Sequence, residues 1–121
     1  MNVKQLLLRL PEAINLDDGA PNAVIQYETS EPVYHVVEDG AVAAHEGQAP
    51  AADVTIRISD DNLDKLLRGE LNPMTAMFTG KLKVKGNVGL AQRLVSMVDR
   101  QKLEVARAEV LKAEVLKNEN A

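Results

Sequence analysis

Apolar residues recur at helical spacing at the start of the chain. Positions i, i+3, i+4 and i+7 place four side chains on one face of a helix: Val3, Leu6, Leu7 and Leu10. Pro11 is expected to kink or restart this helix, because proline lacks the N–H that a helix interior uses. Residues 16–22 are rich in Asp, Gly, Pro and Asn, so they predict a loop.

Five later segments have the patterns of β-strands. Three of them follow one another closely: residues 24–29, 33–38 and 41–46. Asp39-Gly40 separates the last two and favours a tight hairpin, because both central positions of that turn need positive φ. Residues 52–58 alternate between apolar and polar side chains, which predicts a half-buried strand. Residues 81–85 alternate lysine with Leu82 and Val84 and predict the fifth strand.

Helices are predicted between and after the last two strands. Asp60-Asp61 suits a helix N-terminus, and Gly69 suits the end of that helix. Asn72-Pro73 combines an N-cap with proline at the first helical position. Gly86-Asn87 turns the chain into a further helix, and the sequence is charged and helix-prone from Asp99 onward. The segment A-E-V-L-K occurs at 108–112 and again at 113–117. Five residues rotate a helix by about 500°, so the two copies lie on different faces, which argues against a regular coiled coil.

This order of elements predicts an α+β fold. It is neither a repeated βαβ pattern nor all-β, so we expect one sheet with a polar face and with helices on its other face. We divide the chain into a domain of residues 1–98 and a charged C-terminal helical extension of residues 99–121.

Composition narrows the class of protein. A chain of 121 residues has the size of a single domain. Its fractions of hydrophobic residues (45%) and charged residues (26%) are ordinary for a globular protein. The three aromatic residues are Tyr27, Tyr34 and Phe78, too few for the stacking surface of single-stranded nucleic acid binders. The absence of cysteine excludes disulfides, thiol catalysis and cysteine-bound metals. No apolar run suits a membrane helix or a signal peptide, so a cytoplasmic location is expected.

Charge is unevenly distributed along the chain. Residues 12–64 carry twelve acids and one base, a net charge of −11, whereas residues 65–100 carry seven bases and two acids, a net charge of +5. The simplest interpretation is that the two halves neutralise each other in the fold. The alternative is that the basic half faces an anionic head group or a membrane surface.

The sequence contains no arrangement typical of catalysis or metal binding. His35 and His45 lie on neighbouring strands, but the hairpin count pairs His35 with Ala44, so a shared metal is not expected. No serine lies in a G-x-S-x-G turn, and the glycines fit neither nucleotide motif. We therefore predict no catalytic residue, no metal, no cofactor and no enzymatic activity.

The lysines of the fifth predicted strand are the candidate polar contacts. They share one face of the strand, where charge also protects an edge strand from pairing. Attraction to an anionic head group or a membrane surface is the alternative, and the following helix start could hold a phosphate. Nucleic acid is disfavoured because aromatic partners and overall basicity are missing. The candidate head-group or anion contacts are Lys81, Lys83, Lys85 and Asn87.

The apolar residues of the strands and helices predict a core that could hold a pocket. Few aromatics and clustered methionines favour a cavity for a flexible apolar chain. The predicted lining consists of Val54, Ile56, Ile58, Leu66, Met74, Met77, Phe78, Leu82, Val84, Leu90, Leu94 and Met97.

Four motifs between residues 52 and 94 go beyond composition. They are Ala52-Asp53-Val54-Thr55-Ile56, Gly69-Glu70-Leu71-Asn72-Pro73, the run from Ala76 through Gly80-Lys81-Leu82-Lys83 to Gly86-Asn87, and Gly89-Leu90-Ala91-Gln92-Arg93-Leu94. Together they resemble the sterol carrier protein two family of sterol-binding and lipid-transfer domains. The resemblance implies a five-stranded sheet, helices over one face and a hydrophobic tunnel between them. It also implies non-catalytic binding and transfer of lipids such as fatty acids, fatty acyl-CoA, sterols, isoprenoids or phospholipids.

Two other functions remain open alongside lipid transfer. In one, the chain is an interaction module whose C-terminal helix forms a homodimer or recruits another partner. In the other, it is an accessory subunit that presents a lipid substrate to a partner enzyme. The expected partners are thus a lipid or other long apolar ligand, transiently a membrane surface, and in the first alternative a second copy of the chain, but not nucleic acid.

Overall fold

The computed structural model describes residues 1–119 and contains the predicted elements in the predicted order. Boundaries move by no more than two residues, and the fourth strand begins at Val54 rather than Ala52. The elements are α1 Val3–Arg9, a 3₁₀ turn Leu10–Ala13, β1 Ala23–Glu28, β2 Val33–Glu38, β3 Ala41–Glu46, β4 Val54–Ile58, α2 Asp60–Leu67, α3 Pro73–Phe78, β5 Leu82–Gly86, α4 Val88–Ser96 and α5 Arg100–Glu119.

The five strands form one mixed sheet in the order β3-β2-β1-β4-β5. Strands β1 and β4 are parallel, and the other neighbouring pairs are antiparallel. His35 pairs with Ala44 across the β2–β3 hairpin, as the turn at Asp39-Gly40 predicts. The predicted α+β class with a five-stranded sheet is therefore confirmed.

The inner face of the sheet carries the core and the helices. Val33, Val37 and Val54 point inward and are buried beside Leu6 and Leu7 of α1. The opposite face carries the polar residues of β4 and β5, in agreement with the alternation in the sequence. Among the described residues, none of the helices combines the length and apolar character that crossing a membrane requires.

Short polar caps begin the helices at the positions that the sequence indicates. The Asn72 side chain accepts hydrogen bonds from the N–H groups of Met74 (2.8 Å) and Thr75 (3.2 Å), and Asn87 accepts one from Leu90 (3.0 Å). Gly86 precedes the second cap with a φ of +96°, and a Cβ there would lie 2.5 Å from the carbonyl oxygen of Asp53. Gly86 is therefore needed for the close approach of β5 to the start of β4.

Helix α5 packs against the rest of the fold. Leu103, Ala106 and Val110 are buried on the side of α5 that lies against α1 and the 3₁₀ turn. Arg107 forms a bidentate ion pair with Asp64 of α2. The predicted helix is confirmed, and Leu103 belongs to the same core cluster as the sheet. The boundary at residue 98 stays a prediction, because α5 contributes to the packing of the domain itself.

Candidate functional site

A cavity of about 690 Å³ lies between the inner face of the sheet and the helices. This volume is within the range of about 300–1,000 Å³ that is typical of small-molecule sites. Ile56 and Val84, which pair across β4 and β5, form its floor together with Tyr27 of β1. The floor is apolar because alternate residues of these strands face inward.

The helices supply the walls. Helix α2 presents Leu63, Leu66 and Leu67, which share one face because they lie three and four residues apart. The other apolar residues of the lining outside the strands are Leu10 and Ile14 in and just after the 3₁₀ turn, Leu71, Pro73, Met74 and Met77 in and before α3, Val88, Ala91, Leu94 and Val95 of α4, Val98, and Leu103 of α5. A long apolar chain could therefore contact hydrophobic groups of both the sheet and the helices.

Seven of the twelve predicted lining residues meet at this cavity. They are Ile56, Leu66, Met74, Met77, Leu82, Val84 and Leu94. Four others, Val54, Ile58, Leu90 and Met97, are buried in the core but do not line the cavity. Their periodicity identifies them correctly as inward-facing, but neighbouring side chains fill the space around them.

Phe78 is the fifth exception, and its placement corrects the prediction that it lines the pocket. Its side chain is 86% exposed and does not reach the cavity. Ala76 is the fully buried residue of α3, and Phe78 lies about 200° further around the helix. The small side chain of Ala76, rather than the larger Phe78, sets the inner side of α3.

The lysines predicted to contact a head group do not reach the cavity either. Lys83 and Lys85 project from the outer face of β5, whereas Leu82 and Val84 project inward. Lys81 and Asn87 flank the strand, and Asn87 serves as the cap of α4. Within residues 1–117 these lysines form no ion pair, so they remain candidates for contacts outside the cavity.

The polar residues of the lining come from the segment between α2 and α3, from α4 and from the start of α5. They are Glu70, Asn72, Gln92 and Arg100. Glu70 pairs with Arg68 at 3.1 Å, and the side chain of Asn72 is engaged as a helix cap. One guanidinium nitrogen of Arg100, Nη1, donates a hydrogen bond of 3.4 Å to the carbonyl oxygen of Leu67. Sequence reasoning missed Arg100 because its position depends on how α5 packs against α2.

The two histidines face opposite sides of the sheet. His35 is buried, and its Nε2 donates to the carbonyl oxygen of Leu7 at 2.8 Å, which links β2 to α1. Burial lowers the pKa of His35 to about 4, so the ring is neutral near pH 7. His45 stacks on Tyr34, with 5.1 Å between the ring centroids. Among the described residues, no three His, Asp or Glu side chains come together as a metal site would require.

Comparison with known proteins identifies relatives of the chain. The model of the SCP-2 sterol transfer family matches residues 5–99. Sterol carrier protein 2 of Bos taurus is 50% identical over 46 residues, which cover 38% of this chain and 8% of the bovine protein. Peroxisomal multifunctional enzyme type 2 of Mus musculus is 37% identical over 75 residues, which cover 50% of this chain and 10% of the mouse protein. The chain thus corresponds to a small part of the length of either relative.

A solved structure shows the same fold over most of the chain. The solution structure of palmitated SCP2L2 from Aedes aegypti superimposes with a TM-score of 0.62 at 20% identity. The match covers 88% of this chain and 95% of the mosquito protein. It therefore extends beyond the four sequence motifs to nearly the whole domain.

Proposed function

Because the chain belongs to the SCP-2 sterol transfer family, we propose that it binds a lipid in the 690 Å³ cavity and transfers it without catalysing a reaction. The observation that carries this proposal is the cavity itself, whose floor and most of whose walls are apolar. Each CH₂ group removed from water there contributes about 0.8 kcal/mol, so an acyl chain would bind through its length.

Palmitate is the most informative first probe. The mosquito relative is palmitated, and this chain has the same fold, with a cavity between its sheet and its helices. Fatty acyl-CoA, sterols, isoprenoids and phospholipids are the other ligand classes that the family suggests. A cytoplasmic location stays a prediction from the sequence.

Native mass spectrometry tests the proposal directly. We expect the purified protein, or the protein incubated with palmitate, to carry the added mass of one lipid, because the cavity offers one continuous apolar site. Solvent extraction of the purified protein then identifies any lipid that it already holds. An unmodified mass after incubation with both palmitate and the uncharged hexadecanol would contradict lipid binding.

Self-association through α5 is the second candidate function. Val105, Leu111, Val115 and Leu116 are exposed on this helix, and Leu111 and Val115 share a face because they lie four residues apart. The same native spectra decide this point, since a homodimer appears at twice the mass of the chain. A dimer that carries no lipid would favour the interaction module over the carrier.

We place the membrane contact of the carrier at α3. Phe78 is 86% exposed, and Met74, which is 56% exposed, also lines the cavity. An exposed apolar side chain on α3 can enter a bilayer, while Lys81 and the lysines of β5 attract anionic head groups.

Phe78→Asp should therefore weaken binding to vesicles of phosphatidylglycerol and phosphatidylcholine. We expect a reduction of about fivefold or more in co-sedimentation, because burying a phenyl group in the membrane favours binding and a carboxylate opposes it. Val105→Asp is the matched control, since Val105 is exposed on α5, away from the cavity. Equal losses in both variants would place the membrane contact elsewhere.

A further inference from the structure

We propose that Arg100 binds the anionic head group of the ligand, so that the cavity selects acyl chains ending in an oxyanion over uncharged chains of equal length. This inference rests on the proposed lipid binding and adds the chemical class of the ligand. The head group would be a carboxylate or a phosphate, which present similar oxygen acceptors to a guanidinium.

The position of Arg100 is the first observation. Arg100 begins α5 and lines the cavity together with Leu103 from the next turn of the same helix. A Cβ atom at Gly69 would lie 3.0 Å from Nη1 of Arg100, and the φ of Gly69 is +76°. Glycine at position 69 thus lets the guanidinium lie against the turn after α2, where Glu70 also lines the cavity.

The charges around Arg100 are the second observation. Glu70, the acid in the lining, is paired with Arg68 at 3.1 Å. Asp64 of α2 is held by Arg107 and by Arg68. These four side chains balance one another, so their charges do not neutralise Arg100.

The carboxylate adjacent to Arg100 in the sequence is also engaged elsewhere. Asp99 accepts hydrogen bonds from the Asn15 side chain (3.1 Å) and from the backbone N–H groups of Gln101 (2.9 Å) and Lys102 (3.1 Å). Within residues 1–117, no carboxylate lies within ion-pair distance of Arg100.

The hydrogen-bonding capacity of Arg100 is the third observation. A guanidinium has five N–H donors in a fixed fork, and within residues 1–117 one of them is used, in the 3.4 Å bond to the carbonyl oxygen of Leu67. The remaining donors can bind an oxyanion with two parallel bonds, as arginine does with carboxylates and phosphates. The aliphatic walls accept the chain while the guanidinium holds its charged end.

Because Arg100 lies on α5, this helix takes part in binding the ligand. The family match ends at residue 99, and Arg100 and Leu103 both lie beyond it. The helix that follows the matched domain therefore supplies the cation of the site.

The test compares three lipids whose alkyl chains have equal length and whose end groups differ. Palmitate, hexadecyl phosphate and hexadecanol are titrated into the wild type, Arg100→Gln and Lys112→Gln. Lys112 is the matched control, because it is an exposed cation of α5 that does not line the cavity. We expect the wild type to bind one or both anionic lipids with an affinity about fivefold or more above that for hexadecanol. This is the size of effect expected when a guanidinium near the surface forms a charge-assisted hydrogen bond to an oxyanion. Arg100→Gln should remove this preference while keeping its affinity for hexadecanol, and Lys112→Gln should retain it.

The outcomes separate this inference from the proposed function. If the wild type binds all three chains equally, or Arg100→Gln keeps the preference, the head-group role of Arg100 is wrong while lipid binding stands. If Arg100→Gln loses affinity for hexadecanol as strongly as for palmitate, Arg100 acts through the fold and the inference is also wrong. Binding of none of the three chains would overturn lipid binding together with this inference. A preference limited to palmitate or to hexadecyl phosphate identifies the head group as carboxylate or phosphate.

Discussion

Met77→Asp is expected to lower the affinity for palmitate by about tenfold or more, because it places a carboxylate against an apolar chain that must be desolvated with it. Met77 is 38% exposed and lines the cavity from α3. Its partly exposed position lets the variant keep its fold, since the new charge reaches water when the cavity is empty. Titration with palmitate, followed by isothermal calorimetry, measures the loss.

Phe78→Asp is the matched control for this prediction. The two residues are adjacent on one short helix, but Phe78 does not line the cavity. We expect its affinity for palmitate in solution to stay within about twofold of the wild type. If Phe78→Asp loses palmitate binding and Met77→Asp does not, palmitate binds at a site other than this cavity.

The second prediction with a large expected effect concerns stability and pH. His35 has a pKa of about 4 in the folded protein, chiefly because burial disfavours the charged ring, against 6.5 for an exposed histidine. Between these two values the unfolded chain binds a proton that the folded protein does not. The free energy of unfolding is therefore expected to fall as the pH drops from about 6.5 to about 4, by roughly 3 kcal/mol from this group.

Urea unfolding at several pH values between about 7 and 4 measures this dependence. His35→Gln keeps a side-chain N–H that can donate to the carbonyl oxygen of Leu7 but removes the titrating ring, so its stability should fall less steeply with acid. His45→Gln is the matched control, because His45 lies on the outer face and stacks on Tyr34. Equal slopes for the wild type and both variants would show that His35 does not control the acid sensitivity.

Local sequence was enough to predict the elements and several of their details. The caps at Asn72 and Asn87 and the pairing of His35 with Ala44 all occur as the pattern predicts. These features depend on hydrogen bonds, turn geometry and periodicity within a few residues of each other. The order of elements was sufficient for the α+β class for the same reason.

The candidate site was predictable only in part. Periodicity identifies Ile56, Val84 and Leu94 as inward-facing, and they line the cavity. The same spacing groups Phe78 with Met74 and Met77, but Phe78 faces solvent because Ala76 is the residue that packs inward. A short helix has several faces that fit an apolar pattern, and only its neighbours decide which one is buried.

The sequence by itself determined which segments become strands and helices, where they begin, and which strand residues share a face, because these follow from bonding and periodicity along the chain. The tertiary structure alone decided where inward-facing residues leave a cavity rather than fill the core. It also decided that Arg100 and Leu103 of α5 meet Ile14 and the leucines of α2 around that cavity. Contacts between such distant segments depend on how the helices pack over the sheet, and the local pattern of hydrophobic residues does not specify that packing.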